Sequence, residues 1–249
     1  MRGKDIGWWT DFFPTFRVAF DIIPQRVTNA QVRYVIDKLN LAKGKKFLDC
    51  PCGIGRIAIP LARKGIKVTG VDITTSYLDE LADRAQKGNI NIELVNCDMR
   101  RISFNSKFDA AANIWTSFGF FEKDSDNMLV LKRLCDALKP GGRFLLHVVN
   151  RDWVVANFKA RGWYWAKNTK IVEERNFDYS KSINYCTWYF IEDGEEKIFN
   201  ISIRMYSYHE IIAMFKKAGF IDIEGFSTVN DDPVSRDNQM MFIFGTRPR

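Results

Sequence analysis

Apolar residues fall into two alternating rhythms over the first 150 positions. Short unbroken runs end at Asp49 and occupy 68–71, 92–95, 108–114 and 143–149, the lengths expected of strands buried on both faces. Between them the spacing turns helical. Val32, Val35, Ile36 and Leu39 form one stripe, and Leu78, Leu81, Ala82 and Ala85 another. Thr28, with Gln31 three residues on, reads as a capping box; Thr75 or Ser76 reads as a cap and Gly88 as a stop. The stripe that begins at Val32 is expected to end near 42–44. Further helices are expected to open near Arg56 and, after Ser125, to cover 127–138. Lys139-Pro140-Gly141-Gly142 reads as a turn.

Strands and helices alternating at these lengths predict an α/β fold with a doubly wound, mostly parallel sheet. Right-handed crossovers put the strand C-termini on one edge, where open α/β sheets bind ligands. Asp49, Asp72, Asp98, Asn113 and Asn150 all fall at that edge.

The rhythm breaks after the fifth strand. Residues 170–206 carry β-rich runs without a helical stripe, and Asp193-Gly194 between two of them is a hairpin signal. An antiparallel β insert, placed at 163–206, is expected to leave the ligand edge. A helix capped by Ser207 and stopped by Gly219 follows, then strands at 221–226 and 240–245. At the other end, Gly7-Trp8-Trp9-Thr10-Asp11-Phe12-Phe13-Pro14 crowds aromatics that water would not tolerate as a flexible tail. It must pack down, either as a cap on the core or as a lid over a pocket. The domain reading is a helical cap or lid at 1–44 and one α/β domain at 45–249 that contains the insert.

Composition narrows this picture. The balance of 46% hydrophobic and 27% charged residues is that of a globular protein, and 249 residues bury enough surface to need no disulfides. The five cysteines include no C-x-x-C pair and read as reduced thiols; no metal site is expected. No signal peptide and no apolar span of about 18 residues is visible. The expectation is a cytoplasmic protein, off the membrane, monomeric or homodimeric. The net charge of +7 is spread out, which favours a solvated basic surface and leaves a nucleic-acid partner as the lesser alternative.

The densest chemistry lies at 46–72. Gly53 and Gly55 would let a ligand lie against the backbone at the start of a helix. Asp72, at the end of the next strand, suits a ribose diol. Ala58 stands where a dinucleotide fingerprint has its third glycine, so that reading stays open until Asp49 is weighed. A carboxylate beside a pyrophosphate is unfavourable; beside an ammonium it is favourable. An amino acid joined to adenosine satisfies both aspartates, and S-adenosylmethionine is such a ligand.

FLDCPCGIGR, VTGVD, NCDMR, FDAAANIWTSFGFF and LKPGGRFLLHVVN together resemble the class I (Rossmann-like) S-adenosylmethionine-dependent methyltransferases, of the type acting on small molecules. The resemblance covers nearly the whole chain and implies seven strands, the last pair antiparallel. It implies methyl transfer to a small-molecule acceptor by in-line displacement. For the cofactor it implies Asp49 near the ammonium, and the loop residues Pro51 (where the family often has Gly), Cys52, Gly53, Gly55 and Arg56 around it. Asp72 would take the ribose, Ile73 and Met99 the adenine faces, Asp98 the adenine amino group, and Asn113 the methionyl part. Around the acceptor stand Trp9 and Phe13 of the N-terminal segment, Trp115, Thr116 and Ser117 after strand four, Asn150 and Arg151 after strand five, and Arg204 and Tyr206 at the end of the insert. No catalytic base can be named: His147 reads as a core residue and His209 as surface. The rival readings are an RNA or protein methyltransferase, a non-catalytic cofactor-binding module and, weakest, a nicotinamide-dependent oxidoreductase.

Overall fold

A computed structural model describes residues 7–249; the first six residues of the expected cap lie outside the described residues. In chain order the strands are β1 (Lys46–Asp49), β2 (Lys67–Asp72), β3 (Ile92–Asn96), β4 (Phe108–Asn113), β5 (Leu138–Val149), β6 (Arg161–Ala166), β7 (Thr169–Asp178), β8 (Ile183–Glu192), β9 (Glu195–Arg204), β10 (Ile221–Phe226) and β11 (Met240–Thr246). The helices are α1 (Trp9–Phe16), α2 (Gln25–Lys38), α3 (Ala58–Arg63), α4 (Thr75–Lys87), α5 (Asp124–Ala137), α6 (Arg151–Ala156) and α7 (Tyr208–Ala218), with a 3-10 turn at Arg17–Ile22.

Seven strands form one sheet in the order β10-β11-β5-β4-β1-β2-β3. Strands β1 to β5 run parallel, and β11 is antiparallel to both β5 and β10. Alternate residues of the central strands feed two cores. Leu48, Ala111, Phe144 and Leu146 meet α5 and α7 on one face. Phe47, Ala110, Ala112 and Leu145 meet α2, α3 and α4 on the other. Burial on both faces explains why these strands are continuous apolar runs in the sequence.

The insert is a separate antiparallel sheet, β6-β7-β8-β9, beginning slightly earlier than expected. Asp193 and Gly194, both at positive φ, make the two-residue turn between β8 and β9. Its inner face does not reach over the ligand edge by itself. It packs on α1: Phe12, Ala19, Ile171, Phe190 and Ile201 form a third core. Arg17 donates to Glu80 of α4, and Lys167 pairs with Asp21 at 2.5 Å, so the segment is tied to both layers.

Some element ends differ from the sequence reading. Thr28 and Gln31 are not a capping box; α2 starts at Gln25, and both side chains lie inside it, buried. It ends at Lys38, short of the expected 42–44. The helix expected near Arg56 starts at Ala58, after a run of turns. Lys139 to Gly142 continue strand β5 instead of turning, because the register against β4 slips between Phe108 and Ala110 and Gly141, at φ 78°, absorbs the irregularity. The final helix follows the sequence closely: Ser207 and Glu210 form a reciprocal capping box, and Gly219 at φ 100° ends the helix.

Candidate active site

One cavity opens at the C-terminal edge of β1 to β4, with about 980 Å³ not filled by protein atoms, part of it open to solvent. The loop after β1 supplies Asp49, Pro51, Cys52, Gly53 and Arg56; β2 and β3 supply Asp72, Ile73, Asp98 and Met99. Trp9 and Phe13 of α1 and Trp115 and Ser117 after β4 complete the expected set within it.

The loop is held by the carboxylate it faces. Asp72 Oδ2 accepts from the Gly53 N–H at 2.8 Å, and Oδ1 accepts from the Thr74 N–H at 2.9 Å. These bonds oppose the rise in the Asp72 pKa that burial causes. Gly53 sits at φ 53°, and a Cβ there would meet nothing nearer than Phe20 at 3.8 Å, so its open side faces the cavity. Gly55 serves differently from the expectation. It is not part of the lining, and a Cβ there would stand 2.7 Å from Leu81; its role is close packing of the loop on α4.

Asp49 is only 2% exposed. Burial pushes its carboxyl up to about 7; the Arg56 charge pulls against this and the Asp72 charge adds to it. Arg56 is itself lowered to about 10 by burial, with Asp49 opposing. Its Nη1 donates to Gln31 Oε1 at 2.6 Å and Thr28 Oγ1 at 3.2 Å, the real task of that buried pair. The guanidinium lies 4.8 Å from the Trp115 ring centroid, and Phe20 stacks on the same indole at 5.9 Å. Asp98 accepts from the Arg100 backbone N–H at 2.8 Å and from its guanidinium at 2.6 Å.

Trp115 and Thr116 have φ of 71° and 60°, a strained conformation for two consecutive bulky residues. Strand β5 holds them. His147 Nδ1 accepts from the Trp115 N–H at 3.3 Å, and its carbonyl accepts from the Thr116 N–H at 2.9 Å. Burial, with the Arg56 charge adding, lowers the His147 pKa to about 3, so this imidazole is a neutral acceptor and not a base. Burial likewise raises Cys50 and Cys52 well above the usual thiol range, so neither is a thiolate nucleophile.

Several residues expected at the site do other work. Asn113 is fully buried outside the lining; Nδ2 donates to Ser117 O at 3.0 Å, while Oδ1 has no partner among the described residues. Thr116 Oγ1 accepts from the Val149 N–H. Asn150 caps α6 and donates to the carbonyls of Ser235 and Asn238. Arg151 donates to Ser182, Arg204 pairs with Glu210, and Tyr206 donates to Asp124. None of these six lines the cavity. The last four stand at the ends of β5 and the insert, and their partners lie in the β10–β11 connection, the insert, α7 and α5. Conversely, the sequence reading passed over Phe16, Phe20, Tyr77, Phe120 and Phe121, all in the lining. The signal was present: Trp9, Phe13, Phe16 and Phe20 recur at helical spacing.

This strand order, with a Gly loop after β1 and carboxylates ending β1, β2 and nearly β3, defines the Rossmann-like methyltransferase fold. Residues 47–142 match the family model for a methyltransferase domain. Over 134 residues the chain is 31% identical to a ubiquinone biosynthesis O-methyltransferase of Coxiella burnetii, covering 54% of this chain and 53% of that protein. It thus spans about half the length of the curated relatives it matches. Among solved structures, an S-adenosylmethionine-dependent methyltransferase from Clostridium acetobutylicum superposes with a TM-score of 0.80 at 17% identity, covering 95% of this chain and 99% of that one. CalS10, an amino pentose methyltransferase of Micromonospora echinaspora solved with S-adenosylmethionine bound, gives 0.66 at 16% identity, covering 94% and 95%. No helix among the described residues is long and apolar enough to cross a membrane.

Proposed function

We propose that this protein is an S-adenosylmethionine-dependent methyltransferase acting on a small-molecule acceptor. The observation that carries the reading is the convergence of Asp49, Asp72 and Asp98 with the open face of Gly53 on one cavity. The donor set fits the cofactor. A buried carboxyl balanced near neutrality at Asp49 suits an ammonium, which would stabilise its ionised form. Asp72 has acceptor capacity beyond its two backbone bonds for a ribose diol.

When bound, S-adenosylmethionine supplies an activated methyl group on a sulfonium sulfur. The chain supplies orientation and a dry enclosure. The walls contributed by α1, the 3-10 turn and the loop after β4 are aromatic, and they exclude water. Alignment of acceptor and donor in such a site is worth ~7–11 kcal/mol in favourable cases. His147 lies outside the lining and is held neutral and hydrogen-bonded, and in this reading the lining carboxyls Asp49, Asp72 and Asp98 serve the cofactor, which leaves no further base for the acceptor. An acceptor that loses its proton readily, or needs none removed, suits that lining. In this reading α1 and the 3-10 turn roof the site, and the insert backs the roof without touching the acceptor.

Calorimetric titration with S-adenosylmethionine and its demethylated product tests the proposal. Micromolar binding that Asp72→Ala weakens about 100-fold is expected, since hydrogen bonds to a charged acceptor are lost. Absence of binding by the wild-type chain refutes it.

A further inference from the structure

We propose that the outer face of the insert sheet is a two-fold interface with a second copy of this chain. The inner face of the sheet is filled by α1. The outer face is not covered by any described residue, yet it is aromatic. Trp163 is 64% exposed, Trp165 56%, Ile198 52% and Tyr185 41%. Large side chains gathered at such exposure on one face mark an interaction surface and not scattered surface apolars.

The strand registers order this face into rows. One row reads Trp163, Val172, Tyr189, Ile198 from β6 to β9; the next reads Trp165, Lys170, Ile191, Glu196. Lys170, over the Trp163 ring at 5.4 Å, puts positive charge on the β6–β7 side, and Glu196 puts negative charge on β9. A two-fold axis parallel to the strands reverses strand order and preserves the rows. It sets Trp163 of one copy over Ile198 of the other, and Lys170 beside Glu196, in both directions at once. This self-complementarity favours a second copy over an anionic surface, for which the face offers no net positive charge: Arg161 pairs with Glu174 at 3.1 Å, and Glu196 offsets Lys170. The size also suits. Three strands of 10 residues and the 6-residue β6, spaced ~4.8 Å apart, project roughly 600 Å², approaching the ~800 Å² per partner of a standard interface.

Analytical ultracentrifugation of the full chain up to about 100 µM tests this. A dimer is expected, and Trp163→Glu combined with Trp165→Glu should raise its dissociation constant about 100-fold, leave far-UV circular dichroism unchanged, and remove the concentration dependence of Tm that the wild-type dimer shows. Lys170→Glu and Glu196→Lys should each weaken the dimer, and the two together should restore it. That charge swap decides the matter even if the tryptophan variant folds poorly. A monomer at every concentration overturns the proposal, as does a dimer indifferent to all four substitutions. A monomer that sediments with phosphatidylserine vesicles through Trp163 and Trp165 overturns it in favour of a membrane-facing surface.

Discussion

Replacing Asp49 with asparagine should stabilise the empty protein at neutral pH while weakening its cofactor site. The Asp49 carboxyl moves from an ordinary 3.8 to about 7 on folding, chiefly because it is buried. A group whose pKa is raised in the folded state supports folding at low pH and loses that support as pH climbs through the folded value. At ~1.4 kcal/mol per pH unit, the ionised carboxylate costs the folded protein about 4 kcal/mol above pH 7, and nothing below about pH 4. Asparagine does not ionise. The difference in unfolding free energy between Asp49→Asn and wild type should therefore be near zero at pH 4, rise between pH 4 and 7, and level off at about 4 kcal/mol. Urea unfolding at half-unit pH steps measures the curve. Binding should respond in the opposite sense. An ammonium that favours ionised Asp49 makes cofactor binding release a proton near pH 6, visible as a buffer-dependent heat, and the variant should bind at least about tenfold more weakly. A stability difference that stays flat from pH 4 to 8 refutes the electrostatic argument, and unchanged affinity in the variant refutes the role given to Asp49.

The two loop glycines should separate by phenotype: Gly55→Ala, whose Cβ meets Leu81 at 2.7 Å, should lose ~2–3 kcal/mol of stability in chemical denaturation, whereas Gly53→Ala should lose only about 1 kcal/mol yet impair cofactor binding in calorimetry. Phe12→Ala removes a buried ring packed on Trp188, Phe190 and Phe199; it should cost ~3–5 kcal/mol and raise KM more than it lowers kcat, because the roof loosens while the β1–β4 edge stays built. Nitrogen-detected NMR should find the His147 imidazole neutral at pH 5, its protonation deferred to about pH 3; since its folded pKa is depressed, stability is lost on acidification from about 6.5 downward, and a protonated His147 at pH 5 would contradict its role as acceptor for Trp115.

Much of the fold was legible because burial on both faces leaves an unmistakable trace. Strands such as β4, with Ala110, Ala111 and Ala112 fully buried, are apolar through their middle and keep polar residues towards their ends, at Asp109 and Asn113, and the helices between them show one apolar stripe each. The edge proposed for the cofactor was legible for a related reason: parallel connectivity fixes where strand ends lie, so Asp49, Asp72 and Asp98 could be brought together by topology alone. The acceptor side was not. Asn150, Arg151, Arg204 and Tyr206 follow the right strands, but hydrogen-bond partners in the β10–β11 connection, the insert and α5 turn them away. No periodicity encodes such partners. Thr28 and Gln31 fit a capping pattern equally well as they fit the buried Arg56 clamp, and only the distance from α2 to the loop after β1 decides between them.

The position of α1 carries a consequence for how the protein is made. Its aromatic face docks on Trp188, Phe190 and Phe199, some 180 residues later in the chain. During synthesis Trp8, Trp9, Phe12 and Phe13 leave the ribosome well before the insert and wait, without their final neighbours, until the β8–β9 hairpin has emerged. At ~5–20 residues per second that interval is on the order of 10–40 s. The walls that would keep water from the site are therefore translated long before the strands they dock on, and the interval in between is when this chain is most exposed to aggregation and to chaperone capture.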